Sequence, residues 1–222
     1  MTIEARDASG RFVTRAEGRT TSHSFSFGSH YHPANIGFGL LVAHNDELLP
    51  AGTGYPDHPH ADLEIVTFVL TGSLRHISTI GTGVVGPGEV QRLSAGTGVV
   101  HAEMSDSPGP TRFVQTWLRP SEPGGKPSCA RAGGVSGSGL VPLVGGEGAV
   151  GLGAAARLFA GTLTAGSTVT LPDAPRLHVF VTDGVLRVGD ALLGPADAAR
   201  ISDEGGRWVE PEGDCRFLVW VC

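Results

Sequence analysis

The sequence predicts an all-β protein built from two copies of a small antiparallel barrel. Three observations carry this. Gly 34 and Pro 15 together exceed a fifth of the 222 residues, a composition natural to short strands joined by tight turns and unusual for helices. Branched and aromatic residues recur at alternate positions in run after run, the period of a half-buried strand. The phrase EIVTFVLTGSLRH (64–76) also has a counterpart in LHVFVTDGVLRVG (177–189), each a strand, a glycine turn and a second strand.

Taken in order, EIVTFVLTG (64–72) and LRHISTI (74–80) are separated by one residue and read as an antiparallel hairpin. GTGVVGPGE turns the chain, VQRLSAG and TGVVHAEMS give two more strands, and RFVQTWLRP (112–120) closes the series. SEPGGKPSCARAGGVSGSGL then reads as a linker. Short strands resume in ARLFAGTLTAG, STVTLP, RLHVFVTDG, VLRVGDALLG, AARISDE and CRFLVWVC, and PADAARI (195–201) is at most a turn. The expected division is a first domain over 1–122, a linker over 123–139 and a second domain over 140–222.

The net charge of −6 is spread without a basic run, which argues against nucleic acid as a partner. Cys129, Cys215 and Cys222 form neither a disulfide framework nor a C-x-x-C knuckle. The start lacks an apolar leader core and no run approaches 18 apolar residues. The expectation is a cytoplasmic protein with no membrane partner.

The chemistry concentrates in HPHADLE. On a strand running straight through, His58, His60 and Glu64 share a face, as do His101 and Glu103 in VVHAEMS. Side chains two apart stand roughly 6.5–7 Å from one another, so imidazoles from two such pairs can meet one ion. An N/O donor set without thiolate suits one divalent transition metal: Fe(II) first, then Mn, Co, Ni or Cu, with Zn also possible. Pro59 lacks an N–H and fits a sheet edge or mouth, where a site is reached from solvent. His30 and His32, flanking Tyr31, are assigned to the surface or pocket rim, and His76 and His178 to ordinary strand histidines.

At this point the residues resemble a known family. The run Gly52, His58, His60, Glu64, Gly72 is similar to the first motif of the cupin superfamily, and HSFSFGSHYHPANIGFG (23–39), QRLSAGTGVVHAEMS and FVQTWLRP resemble pirins in particular. The resemblance implies a bicupin, two jelly-roll-like barrels in tandem, with one metal in the first barrel held by His58, His60, His101 and Glu103; the second half contains only His178 and no further ligand cluster, so no metal is expected there. It implies that Glu64 sits behind the ligands and orients a ligand imidazole. It also implies a dioxygenase of the quercetinase type, opening a flavonol-like, chelating aromatic substrate with O₂. Glu103 is then both ligand and catalytic proton acceptor, and Phe25, Phe27, Phe38, Phe68 and Met104 are candidates for the pocket's apolar wall. Two alternatives stand beside it: a metal-dependent, redox-sensing regulator that binds a protein partner, and a sugar or small-acid enzyme of general cupin type. The segment CARAGGVSGSG lacks the aromatic and acidic residues usual in bacterial pirins, which leaves the substrate open.

Overall fold

The computed structural model describes residues 2–134 and 137–222. It is all-β, with antiparallel pairing throughout and a single 3-10 turn at Ala8–Gly10 among the described residues. Strands β1 (Thr2–Arg6), β2 (Phe12–Ala16), β3 (Arg19–His23), β4 (Leu41–Leu49), β5 (Gly54–His60), β6 (Glu64–Thr71), β7 (Leu74–Ser78) and β8 (Gly81–Val85) come first. They are followed by β9 (Val90–Ser94), β10 (Val99–Ser105), β11 (Thr111–Leu118), β12 (Ser128–Ala132), β13 (Gly139–Val144) and β14 (Arg157–Leu163). The chain ends with β15 (Val169–Thr170), β16 (Arg176–Asp183), β17 (Leu186–Val188), β18 (Ala191–Leu193), β19 (Ala198–Ser202), β20 (Trp208–Pro211) and β21 (Cys215–Val221). No described helix is long and apolar enough to cross a membrane.

Two compact units result. One comprises residues 12–134 and 150–155, the other residues 1–11, 135–149 and 156–222. In the first, a seven-stranded sheet runs β12-β9-β6-β11-β4-β3-β2 and a four-stranded sheet runs β5-β10-β7-β8. In the second, the orders are β1-β19-β16-β21-β14-β13 and β15-β20-β17-β18. Adding ten to each strand number of the first unit reproduces the second, except that β1 takes the place beside β19 that β12 takes beside β9, and β2 has no counterpart beside β13 among the described residues. The repeat heard in the two sequence phrases is thus a repeat of topology.

Three expectations meet a different arrangement. The strand Thr2–Arg6, placed by sequence in the first domain, pairs with Ala198–Ser202 and belongs to the second unit. The expected linker contains β12, which pairs residue for residue with β9, while its residues 135 and 136 lie outside the described residues. β6 and β7 are not a hairpin. β6 lies between β9 and β11, whereas β7 pairs with β8 and β10, so the chain changes sheets at Gly72 and Ser73. Gly72 permits the change: its φ is 71°, and a Cβ there would stand 2.7 Å from the Pro110 carbonyl oxygen.

The inward residues of the first unit's large sheet read apolar, polar, apolar. Val69 and Phe113 join Leu49, Leu74 and Val85 in one apolar cluster. Ile65 joins Leu93, Ala95 and Val99 in another, with Trp117 packed against it. Between these clusters lie Thr67, Gln91 and Gln115, all buried. This polar layer faces the site.

A three-imidazole candidate metal centre

β5 and β10 are neighbours, and their register sets His101 opposite His58 and Val99 opposite His60. Alternation along each strand then turns the three imidazoles to one face. Ring centroids are 4.3 Å apart for His58 and His101, 4.9 Å for His58 and His60, and 5.0 Å for His60 and His101. One nitrogen from each lies within 4.8 Å of the others. The register slips between His101 and Glu103, giving β5 an extra residue around Pro56 and Asp57. A bulge is where a proline, which has no N–H for the ladder, is tolerated. The freed Pro56 carbonyl accepts from His58 Nδ1 at 2.8 Å.

Burial, reinforced by neighbouring imidazoles, lowers His60 to about 4 and His101 to about 3. Both are therefore neutral at pH 7, the form that binds metal. His60 Nε2 and His101 Nε2 are buried and make no hydrogen bond to a described residue. Buried imidazole nitrogens are seldom left so. Two orphaned lone pairs beside a third imidazole match what a transition metal requires, and the donor set fits a divalent ion.

Glu103 faces the same interior, buried and opposite His76 of β7. Gln115 Nε2 on β11 donates to both its oxygens, at 3.0 and 2.9 Å. Trp117 Nε1 donates to Gln115 Oε1 at 2.9 Å, which fixes which way that amide points. Burial raises Glu103 to about 7, against the Gln115 bond, which lowers it, while the charge of Glu47 adds to the rise. Glu103 groups within 4.8 Å with His76 and His101, whereas His58 and His60 group with His101. The expected four residues thus appear as two overlapping triads that share His101, with His76 as an added imidazole.

A cavity of about 320 Å³ opens onto His58 and Glu103. Phe27 and Trp117, in edge contact at 5.1 Å, form its apolar wall, and Glu47 and Tyr55 line it as well. Glu47 Oε2 accepts from Thr21 at 2.5 Å and from Tyr55 at 2.7 Å. Burial raises the Glu47 carboxyl to about 7, although those two hydrogen bonds pull it down.

Glu64 is elsewhere. The chain does not run straight from His60: Asp62 takes a left-handed φ of 51°, and a new strand starts at Glu64 in the other sheet. Thr67 of that strand bonds Gln115, so the odd positions face the site and Glu64 faces away. Its carboxylate accepts from Gly153 N at 3.2 Å and lines a separate cleft with Ser94 and Lys126. Of the five expected wall residues, Phe27 lines the cavity. Phe68 shares the parity of Glu64, Met104 packs beside Gly54, and Phe25 is core. Phe38, bridged to Leu41, is likewise outside the described cavity lining. His30 stacks on Phe12 at 5.1 Å, and His32 is bonded at an exposed turn with Ser26. Sequence reasoning missed His76, Gln91, Gln115, Glu47 and Tyr55. The readable signal was polar residues at inward positions of otherwise apolar strands.

Two antiparallel sheets with an imidazole cluster between them define a protein of the cupin class. A family model described as Pirin matches residues 5–118. A Mycobacterium tuberculosis protein named "Putative quercetin 2,3-dioxygenase" is 41% identical over 99% of this chain and 94% of its own. A pirin-like protein of Caulobacter vibrioides is 37% identical over 82% of this chain and 83% of its own. The crystal structure of the bacterial pirin YhhW from Escherichia coli, in complex with nickel(II), superposes with a TM-score of 0.92 at 28% identity, covering 99% of this chain and 98% of that one. The chain belongs to the pirin family.

Proposed function

We propose that the protein is a metal-dependent dioxygenase of the quercetin 2,3-dioxygenase type, with His58, His60, His101 and Glu103 holding one divalent ion. The observation that carries this reading is the cavity, which presents His58 and the buried Glu103 of the imidazole–carboxylate cluster on one side and Phe27 and Trp117 on the other. The names of the relatives support it, and the nickel complex of YhhW supports a divalent ion. Such an ion supplies Lewis acidity toward a chelating hydroxyl and, if redox-active, a route for electrons to O₂. The residues do the rest. Phe27 and Trp117 clamp a planar aromatic ring by its faces and edges. Glu103, held by Gln115, accepts the proton of the ligand's acidic hydroxyl. Glu47 keeps Oε1 available for another ligand hydroxyl, since Thr21 and Tyr55 both bond Oε2. The apolar clusters around Ile65 and Val69 keep water from the site's flanks.

The test is anaerobic loading with Fe(II), Mn, Co, Ni or Cu in turn, followed by quercetin and O₂. The flavonol absorption should bleach with at least one metal. Glu103→Gln should lower kcat about 10²–10⁴-fold, the usual contribution of a positioned base. No flavonol consumption with any of the metals contradicts the reading.

A further inference from the structure

We propose that Arg131, Gln91 and His76 form a one-way hydrogen-bond chain that decides which ring nitrogen of His101 carries the proton, and hence which one faces the metal. The inference rests on the reading of His101 as a ligand. It begins at a group that can only donate. Arg131 Nε donates to Gln91 Oε1 at 2.7 Å, and a guanidinium has no acceptor. The Gln91 amide is thereby oriented, and its Nε2 meets His76 Nδ1 at 3.2 Å. An amide nitrogen also only donates, so His76 Nδ1 is an acceptor and the ring's proton sits on Nε2.

His101 Nδ1 lies 3.3 Å from that same His76 Nδ1. Two lone pairs do not face one another, so His101 carries its proton on Nδ1 and donates it. Two donors share one lone pair on His76, in keeping with both distances exceeding 3 Å. The Nε2 of His101 is left buried with its lone pair free, on a ring that brings one nitrogen within 4.8 Å of one from His58 and one from His60. His58 reaches the same tautomer by a shorter route, because the Pro56 carbonyl can only accept. Gln91, His76 and His101 are 2%, 0% and 1% exposed, so water does not compete for these bonds. His76 Nε2 is itself buried without a hydrogen bond to a described residue.

Arg131 is the unexpected member. It comes from β12, in the stretch whose composition reads as a linker, and β12 pairs with β9 so that Arg131 stands opposite Gln91. These three are positioning residues: His76 groups with His101 and Glu103 but is not one of the four proposed ligands, and each of the three acts through the next.

The discriminating variant is Gln91→Glu, which turns the amide donor into an acceptor. His76 then carries its proton on Nδ1 and donates to the new carboxylate. His101 Nδ1 must become an acceptor, and the His101 proton moves to Nε2, where it blocks the metal. Nickel(II) affinity, measured by chelator competition, should fall about 10–100-fold, the range for loss of a ligand's supporting partner. Coulomb attraction alone predicts the opposite, because the change adds a negative charge beside a cation site. Gln91→Leu should lose less, since it releases the tautomer without reversing it. Nitrogen-15 histidine spectra of the metal-free wild type should show His101 protonated at Nδ1, and those of Gln91→Glu at Nε2. Unchanged or tighter nickel binding by Gln91→Glu overturns the chain, as does Nε2–H at His101 in the wild type. The wild-type spectrum decides this without any ion. Absence of nickel binding by the wild type would instead count against the metal reading alone.

Discussion

At the scale of single residues, the notable feature is two buried carboxylates facing one cavity. Glu47 and Glu103 each have their pKa raised by burial to about 7. For Glu47, the ordinary value of 4.5 applies to the unfolded chain. The folded protein therefore holds a proton that the unfolded chain has released, and stability is lost as pH rises through 7. A rise of this size corresponds to about 3 kcal/mol at alkaline pH. Glu47→Gln removes the ionisation. In urea titrations of the metal-free protein, the variant should be more stable than wild type at pH 8, by up to about 3 kcal/mol, with the difference shrinking toward zero at pH 5. An equal difference at both pH values contradicts this. His60, His76 and His101 act with the opposite sign, because burial depresses all three below 6.5. They are buried neutral, so stability falls as pH drops from 6.5 toward 4. At this scale the groupings of His58 and His60 with His101, and of Glu103 with His101, were legible because each pair lies two apart on one strand. Glu64 was misplaced because strand parity holds only within a strand, and Asp62 breaks the strand.

At the scale of elements, the site depends on the close approach of β5 to β10. Gly54 makes it possible. A Cβ there would collide with the Glu103 carbonyl oxygen and stand 2.7 Å from Met104 Cα, and backbone cannot swing aside. Gly54→Ala should push the strands apart where His58 faces His101, with a loss of about 1–3 kcal/mol in folding stability. Weakened nickel affinity should accompany it. Gly109→Ala makes a useful comparison, since a Cβ at that position would meet no heavy atom within 4 Å. Equal metal affinity for Gly54→Ala and wild type would show that the approach of β5 is not what sets the cluster. The strands themselves were largely legible, from the alternation of branched and polar residues. Their partners were not. The one-residue gap after Gly72 looks like a hairpin turn, but Val69 and Leu74 pack in the same apolar cluster from different sheets. β12 was hidden for a similar reason: Ser128, Ala130 and Ala132 carry little propensity, and pairing with β9 decides their conformation.

At the scale of the whole molecule, one topology occurs twice and the polar layer once. Register along the equivalent strands sets Val179, Ala199 and Val219 where the first unit has Thr67, Gln91 and Gln115. All three of those residues belong to the apolar core of the second unit. The strands equivalent to β5 and β10 shrink to Val169–Thr170 and Trp208–Pro211, which contain no histidine. The second unit is thus filled with apolar side chains where the first carries its polar layer, a contrast that the sequence hints at through His178 standing alone but does not locate. The functional reading stands on imidazoles from β5 and β10 holding one ion per chain. Metal analysis of the purified wild type beside His101→Ala, after loading both with nickel(II) and removing excess, tests this without intermediaries. One ion per wild-type chain and almost none in the variant is the expected result. Metal retained at the wild-type level by His101→Ala, or two ions per wild-type chain, would contradict it.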